Sequence, residues 1–331
     1  MREPAFWSGS DTLLSTVLTP AAALYGAIAG RRMARPGRSA GLPVICIGNL
    51  TLGGAGKTPT ALAVGRILAD AGHRPGFLSR GYGGRLAGPV AVDPRTHTAA
   101  DVGDEPLLLA RAASTVVARD RVAGARAARD TGADVIVMDD GFQNPSLEKN
   151  LSVIVVDGAR GIGNGRVFPA GPLRAPLDEQ LRRAGAILIM GEGAGATALS
   201  EAAEARGLPL FRGRLAPDPQ ALAALRERPV LAFAGIGDPD KFFRTLEEAG
   251  IAVRSRRAFG DHHRYTPEEA AALIGDAARE GWTLATTEKD WVRLQGMPGL
   301  EALAQQARPL PVRLEIETAE AFRGLVLSAA R

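Results

Sequence analysis

Cysteine is almost missing from this chain of 331 residues. Cys46 stands alone, which excludes an intramolecular disulfide and any cysteine-built metal cluster. It lies in the apolar run Val44-Ile45-Cys46-Ile47, the setting of a buried strand residue, and an unpaired thiol is consistent with a reducing compartment. Lysine is scarce too: Lys57, Lys149, Lys241 and Lys289 are the only ones, and every other basic side chain is arginine. Aromatic residues make up just 5%. A nucleic-acid binder concentrates charge on one patch and interleaves aromatics, so no such partner is expected here. Internal repeats and low-complexity tracts are lacking as well. What remains, 46% hydrophobic and 23% charged residues at a net charge of +4, is the composition of an ordinary globular protein. At this length one large or two smaller domains are expected.

Residues 12–29 carry no charge, and Arg31, Arg32, Arg35 and Arg38 follow. Eighteen residues is the lower edge for a membrane span, and Ser15, Thr16, Thr19 and Pro20 interrupt the run. Thr19-Pro20 reads as an N-cap with proline at the first helical position, so two short helices are expected in place of one long one. Leu14, Leu18, Ala21, Tyr25 and Ile28 fall near one helical face. An apolar face ending in arginines suits a helix lying in the interface of an anionic bilayer, with the rest of the chain on the cytoplasmic side. A spanning helix and a plain core-packing helix are the other readings. A signal peptide is disfavoured, because Arg2-Glu3 is not a basic leader.

Beyond residue 40, short apolar runs alternate with helical periods. Strands are expected over 43–48, 115–118, 134–138, 151–156, 186–190, 230–234 and 283–286, and helices over 57–71, 120–131, 197–206, 240–249 and 267–279. Continuous apolar strands separated by helices are the mark of an α/β fold whose parallel sheet is covered on both faces. The proline-bearing stretch 215–229 reads as a linker. The expected division is therefore a membrane-associating segment (1–40), a larger α/β domain (41–220) and a smaller α/β domain (221–331).

Gly53-Gly54-Ala55-Gly56-Lys57-Thr58 follows the apolar run 44–47 and precedes a helical pattern, which is the context a Walker A loop requires. Glycines let backbone N–H groups turn towards phosphate oxygens, and the helix start adds its positive dipole. Lys57 would neutralise the β- and γ-phosphates, and Thr58 would hold Mg²⁺. Position 51 is Thr where the standard spacing has its first Gly, so the Gly-Gly pair supplies the flexibility. Val135–Met138 runs into Asp139-Asp140, which resembles a Walker B strand whose terminal carboxylate serves Mg²⁺; a strand-end Asp capping a turn is the plainer alternative.

Transfer of a phosphoryl group to an alcohol also needs a carboxylate or His near the acceptor proton. Gly103-Asp104-Glu105-Pro106 enters an apolar helix, where Asp104 is a candidate base or merely a helix cap. Asp261-His262-His263 holds two of the four histidines. Adjacent residues diverge, so a carboxylate-oriented His in proton transfer is preferred over a chelating pair. Arg80-Gly81-Tyr82-Gly83-Gly84-Arg85 reads equally as a basic lid over phosphates and as a flexible hairpin.

These motifs occur in a particular order: Gly48-Asn49-Leu50-Thr51, the Gly-Gly-Ala-Gly-Lys-Thr-Pro loop, Ser79–Gly84, Val102–Pro106, Asp139-Asp140-Gly141-Phe142-Gln143, Phe168–Arg174, Asp261–His263 and Thr287-Glu288-Lys289-Asp290. Together they resemble the tetraacyldisaccharide 4′-kinase (lipid A 4′-kinase) family over nearly the whole chain. The resemblance implies two α/β/α domains with the active site between them, the first (41–220) a P-loop kinase domain with a hairpin lid near 80–100. It also implies ATP and Mg²⁺, a tetraacyldisaccharide 1-phosphate acceptor, and attachment to the cytoplasmic face of the inner membrane, with no obligatory protein partner. By motif, it assigns Asp104 and His262 as the acid–base pair and Gly53, Gly54, Ala55, Gly56, Lys57 and Thr58 to the nucleotide. Thr58, Glu105, Asp139 and Asp140 are assigned to the metal and Arg174 to a phosphate or the substrate head; Arg80, in the basic loop, is the further substrate candidate. The competing class is a P-loop GTPase-like or metallochaperone nucleotide switch. Thr287–Asp290 is too short for the Asn-Lys-x-Asp guanine pattern, and no Cys/His metal-handling cluster is present in the sequence. A soluble kinase for a small metabolite is disfavoured by residues 12–38.

Overall fold

The computed structural model describes residues 4–8 and 12–331. Arg2 and Glu3, on which the reading of the extreme start rested, lie outside the described residues. After a 3-10 turn at Ala5–Trp7 come two helices, α1 (Leu13–Val17) and α2 (Thr19–Met33). As expected, the run 12–29 breaks near Thr19, but the cap sits one residue earlier, at Leu18, and Pro20 lies within the first turn. The first sheet then builds from β1 (Val44–Gly48), α3 (Lys57–Asp70), β2 (Pro75–Ser79), β3 (Val90–Ala91), α4 (Ala99–Val102), α5 (Asp104–Ala110), β4 (Thr115–Val117), α6 (Arg121–Asp130), β5 (Val135–Asp139) and β6 (Leu151–Asp157). It continues with α7 (Leu177–Leu181), β7 (Ala186–Met190), α8 (Thr197–Glu204) and β8 (Leu210–Pro217). A second sheet follows α9 (Pro219–Leu225): β9 (Val230–Ala234), α10 (Pro239–Glu248), β10 (Val253–Ala258), α11 (Pro267–Glu280), β11 (Thr283–Thr287), α12 (Glu288–Leu294), α13 (Glu301–Gln306) and β12 (Arg308–Leu310). The chain then returns to the first sheet with β13 (Val312–Ile316) and α14 (Ala319–Ser328).

The first sheet runs β13-β8-β7-β6-β1-β5-β2-β4-β3 and the second β10-β9-β11-β12. Pairing is parallel except at the two edges of the first sheet, where β13 and β3 are antiparallel. Alternation explains why the central strands read as unbroken apolar runs. Val44 and Cys46 face one core with Ile136, Met138, Ile154 and Ile187, while Ile45 and Ile47 face the other with Val135, Val137, Val153 and Leu188. Both faces are covered, and each such side chain contributes about 1.5–3 kcal/mol by leaving water. Cys46 is the buried strand thiol expected, its pKa pushed up to about 11 chiefly by that burial.

Three expectations need correcting. Residues 215–229 are not a free linker, because they finish β8 and form α9. The smaller unit does not extend from 221 to 331: Val312, Leu314 and Ile316 pair along β8, and α14 packs on α3. No local signal marks this return, since the partners lie about a hundred residues apart in sequence. The stretch 80–100 is no independent hairpin either; it is a loop whose two-residue strand β3 joins the sheet edge at β4.

Gly65 in α3 sits against the ring of Phe77, where a Cβ would approach Cζ to 2.5 Å. Alanine gains about 1 kcal/mol of helix propensity, but overpacking against a buried ring costs about 1–3 kcal/mol. Gly65→Ala is therefore expected to lower the midpoint of thermal unfolding; a raised midpoint would mean the ring moves aside freely.

Candidate active site

β1 delivers the chain to the glycine loop and α3 carries it away. Gly53 and Gly56 take φ of 103° and 88°, left-handed conformations that other residues rarely adopt. The helix starts at Lys57, so its free N–H groups face the loop. Beneath the loop, Asn49 donates to the carbonyls of Thr51 (2.7 Å) and Gly53 (3.1 Å). The fully buried Gln180 donates to the carbonyl of Leu50 at 3.3 Å and accepts from Gln143, whose amide also bonds the Asn49 carbonyl at 2.7 Å. This network sets the height of the loop.

β5 lies beside β1 with Asp139 opposite Ile47, which brings the loop and the two carboxylates to one end of the sheet. Thr58 Oγ1 donates to Asp139 Oδ2 at 3.4 Å, while Asp139 Oδ1 is buried without a hydrogen-bond partner. Burial, and then the negative charge of Glu105, raise the Asp139 pKa to about 7. Asp140 faces Lys57 Nζ at 3.8 Å and accepts from Arg174 Nη1 at 3.0 Å. Burial pushes the Asp140 pKa up, but Lys57 and Arg174 outweigh it and hold the carboxyl below its ordinary value. Arg174 Nε also donates to the Thr51 carbonyl at 2.9 Å, tying the second carboxylate to the loop.

Asp104 opens α5 and is 4% exposed. Its Oδ2 accepts from Arg293 Nε at 2.8 Å and from Arg293 Nη2, and lies 3.3 Å from His262 Nδ1. Burial works to raise its pKa; the His262 hydrogen bond and the charges of Arg293 and Lys289 prevail and hold it well below the carboxylate range. His262 is a third exposed, and its pKa is raised, mainly by the hydrogen bond to Asp104 and against burial. Beside them, Lys289 Nζ bonds Glu105 Oε1 at 2.7 Å. α5 packs against β2, β4 and α3, the helix that leaves the glycine loop. Asp140 and His262 are the non-glycine residues with positive φ among the described residues, at 51° and 56°. Strain of this kind persists where surrounding structure imposes it, and it collects at functional sites.

The sequence-predicted residues thus meet in two linked groups. Gly53, Gly54, Ala55, Gly56, Lys57, Thr58, Asp139, Asp140 and Arg174 form one; Asp104, Glu105 and His262 form the other. Arg80 follows β2 and is exposed. Tyr82, in the same loop, packs edge-on to His262 with ring centroids 5.3 Å apart. His263 points elsewhere: Nε2 lies 2.8 Å from Glu269 and the ring stacks on Phe259. Asp290 is fully buried, accepting from Gly235 N–H, Tyr265 and Thr287, so Thr287–Asp290 starts α12 and is not an open base-reading loop. Arg293 and Gln180 were not identified from the sequence. Arg293 had a usable signal, one helical turn after Lys289 and therefore on the same face of α12.

The sequence profile of the family described as tetraacyldisaccharide-1-P 4′-kinase matches residues 14–331. A tetraacyldisaccharide 4′-kinase of Rhodopseudomonas palustris (strain BisB18) is 56% identical over 99% of this chain and 95% of its own length. One from Methylobacterium sp. (strain 4-46) is 60% identical over 96% of this chain and 93% of its own. Among solved structures, the "apo" form of LpxK from Aquifex aeolicus in complex with ATP is similar with a TM-score of 0.74 at 28% identity. That match covers 96% of this chain and 100% of the other.

A histidine that gains a carboxylate partner stabilises the fold below its ordinary pKa of about 6.5, and that stabilisation is lost as the pH rises through the raised value. Asp104→Asn is therefore expected to move the His262 titration downwards, followed by NMR of the labelled imidazole. An unmoved titration would show that Asp104 is not the group holding the proton on His262.

Proposed function

Since this chain belongs to the tetraacyldisaccharide-1-P 4′-kinase family, it is an ATP-dependent lipid A 4′-kinase, and we propose how its residues divide the transfer. The acceptor is the 4′-hydroxyl of a tetraacylated glucosamine disaccharide 1-phosphate. Lys57 and the N–H groups of Gly53–Thr58 hold the β- and γ-phosphates at the start of α3. Asp104, seated with His262, takes the proton of the hydroxyl as its oxygen attacks the γ-phosphorus and ADP leaves. Arg174, already joined to Asp140 and the loop, faces the phosphates or the disaccharide head, and the exposed Arg80 reaches the same space from the end of β2.

The residues also fit Mg²⁺. The Thr58 hydroxyl and the orphaned, buried Asp139 Oδ1 are hard oxygen donors at the mouth of the loop. Thr58 and Asp139 would hold the ion, with Asp140 and Glu105 as neighbouring carboxylates. Among the described residues no group of three or more His, Cys, Asp or Glu is arranged for a metal, and a Mg²⁺ that draws ligands from nucleotide phosphates needs only one or two carboxylates. When bound, it neutralises charge on the β- and γ-oxygens. The observation that carries the reading is the packing of α5, which begins with Asp104 and Glu105, against α3, which begins with Lys57 and Thr58 at the nucleotide loop.

The acceptor's acyl chains place the reaction at a bilayer, and we assign the docking face to α1 and α2, on the cytoplasmic side of the inner membrane. The small residues Ala22, Gly26 and Gly30 turn inwards, Gly26 against Pro176 and Val167. Leu13, Val17, Leu24 and Ile28 are 60–83% exposed, with Leu14 and Tyr25 beside them. Arg31, Arg32 and Arg35 follow, all exposed. No helix among the described residues is long and apolar enough to cross a membrane, so an interfacial posture is favoured.

In mixed micelles with labelled ATP, Asp104→Ala is expected to reduce label on the lipid by about 10²–10⁴-fold. Nucleotide hydrolysis without labelled lipid in the wild type would contradict the assignment. Leu24→Asp combined with Ile28→Asp is expected to weaken sedimentation with anionic vesicles while leaving ATP binding intact; unchanged sedimentation would remove the docking face.

A further inference from the structure

Arg293 is the residue on which the two halves of the acid–base pair converge. It is 7% exposed and lies among groups that are themselves buried. On one side, Nε and Nη2 donate to Asp104 Oδ2. On the other, Nη1 donates to Asp290 Oδ1 at 2.8 Å and to the Gly235 carbonyl at 2.6 Å. That carbonyl also accepts the backbone N–H of His262 at 3.0 Å, the residue held at positive φ. Arg293 Nη2 comes within 3.4 Å of His262 Nδ1. Asp290 is fixed in turn by Gly235 N–H at 3.0 Å and the Tyr265 hydroxyl at 3.0 Å. Gly235 has no room for a side chain: a Cβ would lie 2.9 Å from His263 Cβ. One planar guanidinium therefore registers a carboxylate from the first sheet against a histidine backbone from the second.

We propose that Arg293 is a positioning residue for phosphoryl transfer, setting Asp104 and His262 in their mutual geometry while touching neither nucleotide nor lipid itself. The proposal rests on the reading of Asp104 as the group that serves the acceptor hydroxyl. Lysine is no substitute here. Its ammonium keeps the charge but lacks the fixed fork that reaches Asp104, Asp290 and the Gly235 carbonyl together. A residue acting through Asp104 has nothing further to contribute once that carboxylate is gone, so its removal is non-additive with the loss of Asp104.

The test is a double-mutant cycle on the full chain with ATP and lipid A disaccharide 1-phosphate in mixed micelles, comparing wild type, Arg293→Met, Asp104→Asn and the double variant. Arg293→Met is expected to lower kcat by about 100-fold with the KM for ATP unchanged, and the double variant is expected to be no slower than Asp104→Asn alone. Equal fold losses in the two backgrounds would overturn the proposal, because they mark a general structural role. Arg293→Lys covers the case in which the Met variant does not fold: a kcat between those of wild type and Asp104→Asn supports positioning by the fork, and full wild-type kcat overturns it. Asp104→Asn at the wild-type rate would instead sink the underlying reading of Asp104, and the proposal with it. An active Asp104 with an indifferent Arg293 sinks the proposal alone.

Discussion

Two ion pairs between α5 and α12 join the sheets at the place where the chemistry is assigned. Asp104 meets Arg293, and Glu105 meets Lys289. Adjacent acids on one helix face bases spaced a full turn apart on the other, so the pair of contacts resists rotation as well as separation. Burial decides which of the inter-sheet contacts carries weight. Arg160–Asp238 and Lys241–Asp157 also bridge the units, but in solvent such pairs are worth about 0–1 kcal/mol. The Asp104–Arg293 pair is almost wholly enclosed, and removing one member leaves a buried charge, a cost of about 3–5 kcal/mol. The same contacts that hold the units in register therefore also fix the ionisation of the proposed base.

Backbone constraint reinforces this arrangement. Asp140 and His262, one in each group of site residues, are kept in left-handed conformations by what surrounds them. Asp140 is pulled by Arg174, which is anchored on the loop, and His262 by the Gly235 carbonyl. Neither side chain is free to relax without disturbing a second element. The site is thus set by contacts between elements and depends little on the flexibility of any single loop.

Much of this was legible in the sequence where chemistry is local. The glycine loop, Lys57 and Thr58 are contiguous, and the buried strand ending in Asp139-Asp140 carries its own apolar signature. The break near Thr19 was legible from Thr19-Pro20, although Leu18 is the cap and the Thr19 hydroxyl donates to the Ser15 carbonyl. What escaped notice depends on distance. β13 pairs with β8 across about a hundred intervening residues, so the division at 221–331 misassigned the last strand and helix. β10, with four polar or charged residues in Val253–Ala258, lies at a sheet edge and lacks the apolar run that marks the central strands. Gln180 is an ordinary polar letter that only the fold shows to be enclosed by loop carbonyls, and the spacing of Arg293 from Lys289 gave its helical face but not the carboxylates of Asp104 and Asp290 that enclose it. His263 shows the converse: its neighbour's promise extended to it by adjacency, but its ring packs on Phe259.

The return of β13 to the first sheet means that the polypeptide enters and leaves the second unit through neighbouring strands, and the two crossings are hydrogen-bonded to each other where Asp218 N–H meets the Pro311 carbonyl at 2.8 Å. The arrangement orders assembly on the ribosome. The nucleotide-binding sheet stays unfinished at its β8 edge, and α3 stays partly uncovered, until residues 312–328 emerge, by which time the whole of the inserted unit has already been made.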